Sequence, residues 1–175
     1  MKNKKYIIAS AIILCSVVFF FVIMSQNKND CDTLENRELR LREISNLGEL
    51  TTISEEIIID EYIVSGYTTK NNRYGLAIFE PNGDGKYQFQ SNTTRENDSL
   101  VLEIAIINGV DYNIFWANKP DLDYAEITYT VENKIDETIK IDAQDNQIIY
   151  IKSPDKDYNV EYIFVDKNGV RHEGY

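Results

Sequence analysis

The chain begins with an apolar run and continues with short segments rich in alternating apolar and polar residues. Residues 6–24 form a stretch of nineteen residues without a charged side chain, and Lys2, Lys4 and Lys5 precede it. As a helix rising about 1.5 Å per residue, this stretch spans roughly 28 Å, close to the hydrocarbon core of a bilayer. The pattern predicts a single-pass transmembrane helix over residues 6–24, with residues 1–5 in the cytoplasm and the rest outside the cell membrane.

Two other interpretations of the apolar run stay open. A cleaved signal peptide has a shorter apolar region and a small-x-small cleavage site, whereas the best candidate here, Ile23-Met24-Ser25, lacks the first small residue. A lipoprotein needs small residues before the lipidated cysteine, and Cys15 follows Ile13-Leu14 in the middle of the run. The uncleaved anchor therefore fits the residues best.

Residues 25–50 are predicted to hold a short spacer and a juxtamembrane helix. A helix is expected over Thr33 to Leu47, because Asp32 and Glu35 resemble a capping box and Gly48 supplies a stop. The residues expected on its apolar face are Leu34, Leu41 and Ile44. Such a helix either packs on its own domain or forms a dimerising stalk.

From about Ile57 the pattern changes to strands separated by turn residues. About ten strands are predicted, at Ile57 to Thr69, Tyr74 to Glu80, Lys86 to Ser91, Leu100 to Ile107, Val110 to Ala117, Ala125 to Val131, Thr138 to Ala143, Gln147 to Lys152, Tyr158 to Asp166 and Val170 to Glu173. Turn signals every 8 to 14 residues are typical of an all-β sandwich or barrel. We therefore expect residues 51–175 to form one extracytoplasmic β-sandwich domain.

The hairpin around Asn108-Gly109 allows a prediction of register. A two-residue loop would pair Ile106 with Asp111, whereas a three-residue loop from Ile107 to Gly109 pairs Ile106 with Val110 and keeps apolar residues on one face. The second register predicts a buried face made of Leu100, Leu102, Ile104, Ile106, Tyr112, Ile114 and Trp116. Asp111 is then expected on the solvent face.

The C-terminal residues carry a resemblance to known modules. Tyr158, Val160, Tyr162 and Phe164 alternate along one strand, and Lys167-Asn168-Gly169 turns the chain into a last strand. Over about the last 45 residues this resembles the end of bacterial immunoglobulin-like modules. The Lys-rich start, single apolar run and Ile-, Asn- and Tyr-rich remainder resemble uncharacterised single-pass envelope proteins of AT-rich Gram-positive bacteria. That resemblance implies a compartment and no particular activity.

Composition excludes several classes of function. The part after the apolar run holds 29 acidic and 15 basic residues, a balance of −14, which argues against nucleic acid as a partner. Two cysteines are too few for a disulfide framework, and the single histidine, His172, is expected on the surface near the C-terminus. We therefore expect no catalytic residues and no enzyme. The alternative is a carboxylate-dependent enzyme that acts on wall or surface glycans.

No cofactor is expected, and calcium is the ion that the composition best allows. Calcium prefers oxygen ligands from loop Asp and Asn residues. The candidate loops are Asn82-Gly83-Asp84, Asp121-Leu122-Asp123, Asp142 with Asp145-Asn146, and Asp155 with Asp157. The same residues also occur in turns that bind no metal.

Binding is the remaining class of function. A recognition loop is predicted from Trp116, Pro120, Asp121, Asp123 and Tyr124, because aromatic residues beside a rigid Pro and two acids are common at binding surfaces. Its alternative is an ordinary strand connection with inward-pointing aromatics. The expected partner is another envelope protein, or a larger membrane complex contacted through the small residues Ala9, Ser10 and Ala11.

Cys31 suggests a second kind of partner. It lies seven residues beyond the apolar run, too far from Cys15 for an intramolecular bridge if the chain stays helical. An unpaired exported thiol can form an intermolecular disulfide, which predicts a homodimer through Cys31. The alternative is a thiol that stays reduced.

Overall fold

The computed structural model describes residues 30–44, 50–71, 73–83, 85–96, 100–117, 121–132, 134–143 and 147–173. One helix, α1 (Leu34–Ile44), precedes the strands of this part of the chain. The strands are β1 (Thr51–Ile59), β2 (Tyr62–Thr69), β3 (Arg73–Pro81), β4 (Tyr87–Glu96), β5 (Leu100–Ile107), β6 (Val110–Ala117), β7 (Leu122–Val131), β8 (Lys134–Asp142), β9 (Ile148–Lys152), β10 (Tyr158–Asp166) and β11 (Arg171–Glu173).

The described strands form three antiparallel sheets. Sheet A has the order β1-β2-β3-β4, sheet B the order β5-β6-β9, and sheet C the order β11-β10-β7-β8. The prediction of a mostly β fold is confirmed. The strand buried on both faces is β6, from Asn113 to Ala117, as expected for a strand that lies between two other sheets.

Successive strands run in opposite directions, so their connections collect at two ends of the molecule. The β1–β2, β3–β4, β5–β6, β7–β8 and β9–β10 connections share one end, which we call the Asp60 end; there Asn108 donates a side-chain hydrogen bond to the Asp60 carbonyl at 3.1 Å. The other connections share the opposite end, which we call the Asp121 end. There the Lys167 amide donates to the Asp121 carbonyl at 2.7 Å.

Sheet B is the middle layer of the stack. Ile114 and Trp116 of β6 pack into the core against sheet A, whereas Phe115 and Ala117 of the same strand pack into the core against sheet C. Trp116 is fully buried and lies over Gly66 of β2, where a Cβ atom would be 2.5 Å from Cε2 of the indole. Glycine at this position therefore allows sheets A and B to approach.

The helix α1 covers the outer face of sheet A. Leu41 is buried with Tyr67 and Phe79 of the sheet, so the helix packs on its own domain, as one of the two alternatives expected. The helix starts one residue later than predicted, because Thr33 Oγ1 caps it by accepting the Asn36 amide at 3.2 Å. Leu34, expected on the apolar face, is exposed instead.

The structure divides the predicted strand from Ile57 to Thr69 into two. A turn at Asp60-Glu61 separates β1 from β2, and both residues have positive φ, 46° and 73°. A two-residue turn with positive φ matches the twist of the strands it joins. The prediction missed it because the second position of such a turn usually carries Gly, whereas Glu61 occupies it here. In β4, strand structure also continues to Glu96, through part of the predicted loop from Asn92 to Ser99.

The predicted register of the β5–β6 hairpin is wrong. Asn108 and Gly109 form a two-residue turn with φ of 50° and 76°, and Ile106 pairs with Asp111. Ile104 and Ile106 are therefore exposed rather than buried, whereas Ile114 and Trp116 are in the core as expected. Pairing Ile106 with Asp111 is tolerated because this end of the face is open to water.

No helix within the described ranges is long and apolar enough to cross a bilayer. The predicted transmembrane helix over residues 6–24 and the tail over residues 1–5 lie outside those ranges.

The neighbouring residues Ile107 and Ile106 provide a matched test of the register. Ile107 is fully buried, so Ile107→Ala is expected to lower the free energy of unfolding by about 2 to 5 kcal/mol. Ile106 is 60% exposed, so Ile106→Ala is expected to cost less than about 1 kcal/mol. Urea denaturation followed by tryptophan fluorescence measures both. A larger loss for Ile106→Ala would support the three-residue loop instead.

Candidate functional site

An ion pair between a buried arginine and a half-buried glutamate joins α1 to sheet A. Arg37 donates from Nε and Nη2 to the two carboxylate oxygens of Glu56 on β1, at 2.8 and 2.7 Å. Ser65 of β2 donates to the same carboxylate at 2.6 Å. Arg37 is only 6% exposed, and its guanidinium also lies 5.9 Å from the ring centroid of Phe79. We call Arg37, Glu56 and Ser65 the helix clamp.

The helix clamp also holds the segment that enters the domain. Arg37 Nη1 donates to the carbonyl oxygens of Cys31 and Asp32, at 2.8 and 3.1 Å. The Asp32 side chain accepts the Tyr87 amide at 2.8 Å, and the Cys31 amide donates to the Tyr87 carbonyl at 2.9 Å. Residues 30–32 are therefore fixed against the start of β4, at the Asp60 end.

The C-terminal half of α1 closes the edge of sheet A. Glu38 accepts the Ile53 amide at 3.0 Å, beside the irregular register between Ile53 and Glu55 in β1. Arg42 donates to the Thr51 carbonyl at 3.1 Å. These side chains take the place of a neighbouring strand, which protects an edge that could otherwise pair with another chain.

Cys31, the predicted site of an intermolecular disulfide, is buried within the domain. The side chain is fully buried among Leu41, Tyr67 and Phe79, and burial raises the pKa of the thiol. The sulfur therefore cannot reach a second chain without local opening, and its thiolate form is disfavoured. The burial comes from the docking of residues 30–32, which the sequence pattern did not indicate.

The residues of the predicted recognition loop do not form one surface. Trp116 is fully buried, as in the alternative with inward-pointing aromatics, and Pro120 lies outside the described residues. Asp121 and Asp123 are exposed at the Asp121 end. Tyr124 is half-buried, with Lys140 Nζ 3.5 Å from its ring centroid. Among the described members of the set, Asp121 and Asp123 are the exposed residues that a partner can reach.

An open polar cleft of about 520 Å³ lies at the Asp60 end, beside the β9–β10 connection. Its lining includes residues 152–158 and Asp111. The cleft is backed by Asn113, a buried side chain whose Nδ2 lies 2.9 Å from Ser153 Oγ and 3.0 Å from Tyr129 Oη. Sequence reasoning missed Asn113, although a polar residue inside an apolar strand is the signal that could have found it.

The acidic residues of the cleft and of the candidate calcium loops are described only in part. No group of three or more His, Cys, Asp or Glu side chains in this part of the chain is arranged to hold a metal ion. Asp111, Asp155 and Asp157 of the cleft are exposed, whereas the acid of a glycosidase pair usually works in a desolvated setting. Asp84, Asp145 and Asn146 of the candidate calcium loops lie outside the described residues.

His172 lies on β11 and contacts the turn that joins β10 to β11. Asp166 accepts the amides of Val170 and Asn168 at 2.8 and 2.9 Å, and His172 Nε2 lies 3.4 Å from its other carboxylate oxygen. The backbone hydrogen bond from Val170 is the main cause that lowers the pKa of Asp166. The arrangement stabilises the β10–β11 connection.

Comparison with known proteins yields no relative: no family model matches the sequence, and neither a curated protein nor a solved structure is detectably similar.

The helix clamp generates a prediction about stability. Arg37→Met leaves the half-buried Glu56 carboxylate without its charged partner, so the free energy of unfolding is expected to fall by about 1 to 3 kcal/mol. Arg40→Met is the control, because Arg40 pairs at 3.4 Å with the more exposed Glu43 and should cost less than about 1 kcal/mol. Urea denaturation measures both. Equal losses would mean that the clamp contributes no more than a surface pair.

Proposed function

We propose that this chain is a membrane-tethered, extracytoplasmic protein of the cell envelope that acts by binding another envelope protein and carries out no catalysis. The apolar run over residues 6–24 and the lysines before it support the tether and its direction. The acidic surface supports a domain that stays dissolved beside the membrane instead of adhering to anionic lipids.

The observation that carries the proposal is the fixed entry of the chain into the domain. Residues 25–29 alone separate the apolar run from Asp30, and they span at most roughly 20 Å. Cys31 and Asp32 are bonded to the start of β4 and to Arg37. A tether that is short and enters a fixed point holds a domain in a restricted orientation. The Asp60 end then faces the bilayer, and the Asp121 end faces away from it.

The first prediction from this proposal concerns topology. Protease added to intact, wall-stripped cells is expected to degrade the domain, since the domain lies outside the membrane. A cytoplasmic protein probed in the same samples should stay intact as the control. A C-terminal tag that remains protected would contradict the topology, and mature protein that starts after Ser25 in the medium would contradict the anchor.

The second prediction concerns orientation. In the Cys15→Ser background, dyes are attached to Glu61→Cys and, separately, to Asp121→Cys in the full chain reconstituted into vesicles with acceptor-labelled lipids. Glu61 and Asp121 are both exposed and lie at opposite ends of the stack, and Cys31 is buried. Energy transfer is expected to be stronger from position 61. Equal transfer from both positions would show that the domain is not oriented as proposed.

A further inference from the structure

One edge of β10 is only partly covered. On one side, β7 pairs with β10 from Tyr158 to Asp166. On the other side, β11 pairs only with Ile163, Phe164 and Val165. Among the described strands, the edge beside residues 158–161 therefore has no neighbour, and such an edge is a template for an added strand.

An apolar surface lies next to this edge. Ile104 and Ile106 of β5 are 58% and 60% exposed on the face of sheet B that looks towards sheet C. Asn113, the cross-strand partner of Ile104, lies 3.3 Å from Tyr158 Oη at the start of β10. The two isoleucines thus lie on the face of sheet B that packs against sheet C, but beyond the part of that face that sheet C covers.

The edge of β5 itself is less available. The side chain of Gln90 on β4 donates to the Ile106 carbonyl at 3.3 Å. Ser91 and Thr93 of β4 donate to the buried carboxylate of Glu103. The opening between sheets B and C is therefore bounded by the β10 edge on one side and by Ile104 and Ile106 on the other.

We propose that this opening, the β10 groove formed by residues 158–161, Ile104 and Ile106, binds an extended segment of a partner protein as an added strand of sheet C. Backbone hydrogen bonds to β10 supply affinity, and side chains of the segment that point inward cover the two isoleucines. The inference rests on the proposed binding function and names the class of partner.

Charge indicates the chemistry of the segment. Glu161 is exposed on the outer face of β10, and Asp111 is exposed beside Ile106. An added strand places alternate side chains on the outer face beside Glu161 and on the inner face over the isoleucines. The matching segment alternates basic and apolar residues. A second copy of this chain is disfavoured as the partner, because its β10 edge would place another Glu161 beside the first. The net charge of −14 on each copy would also repel the other.

A synthetic peptide tests the proposal directly. The probe is a capped, dye-labelled peptide of about six residues in which lysine and valine alternate, which is the length of a typical strand. Fluorescence anisotropy with the full chain in a non-ionic detergent is expected to show saturable binding. Ile104→Thr with Ile106→Thr should weaken binding at least about tenfold, because two apolar contacts are lost without a change of charge. Ile58→Thr is the control, since Ile58 is 69% exposed elsewhere on β1 and should leave binding unchanged.

Backbone methylation tests the mode of binding. Two further peptides carry N-methyl groups on the odd or on the even amides, and only one set faces β10 in an added strand. One of the two peptides is expected to lose binding while the other retains it. Equal effects of the two methylation patterns would overturn strand addition, and equal affinity for wild type and the threonine variant would overturn the groove.

Sedimentation of the wild type completes the test. A monomer is expected, whereas a dimer that Ile104→Thr with Ile106→Thr dissociates would replace the partner with a second copy. The peptide measurements use purified protein and do not depend on membrane orientation. Failure of the groove therefore leaves the topology results unaffected, and failure of the topology leaves the peptide results unaffected.

Discussion

The burial of β6, the central strand of sheet B, on both of its faces is the constraint on which the rest of the structure depends. A sheet of three strands cannot hide two apolar faces by itself, so sheets A and C are required to cover Trp116 on one side and Phe115 on the other. Close approach on the first side needs Gly66, because any side chain there would collide with the indole. The path of the chain reflects this layering. After β6 the chain leaves sheet B for β7 and β8 of sheet C, returns to sheet B as β9, and leaves again for β10 of sheet C.

Covering sheet B with sheet A creates a second requirement on the far face of sheet A. That face carries Tyr67 and Phe79, and α1 is too short to be stable alone in water. The helix clamp holds the helix on this face. The buried guanidinium of Arg37 is tolerated there because its donors find acceptors. Those acceptors come from β1 and from the backbone of residues 31 and 32. Docking of the helix and fixation of the entering chain are consequently one event.

Local sequence patterns predicted the positions of several strands well, but they did not predict how the sheets stack on one another. β5, β6 and β10 match their predicted bounds, because turn residues flank each apolar run. The register of the β5–β6 hairpin failed because it assumed one buried face, whereas β6 has two. Of the candidate site, Asp121 lies in the turn before β7 as predicted, whereas Asp123 and Tyr124 lie on β7 itself. The burial of Trp116 depends on a glycine 50 positions earlier. The roles of Arg37 and Asn113 were not predicted, because their hydrogen-bond partners are also distant in the sequence.

The proposed tether and the β10 groove constrain one another. Residues 158–161 follow the β9–β10 connection, so the groove lies in the half of the stack nearer the Asp60 end, where the chain enters. A domain held by a short tether with that end towards the bilayer presents the groove close to the membrane surface. A partner strand must then lie equally close to the membrane surface. This requirement favours a segment near the membrane anchor of another envelope protein over a freely diffusing peptide. Confinement of both chains to one membrane also raises their effective concentration, so a short strand of modest affinity is sufficient for binding.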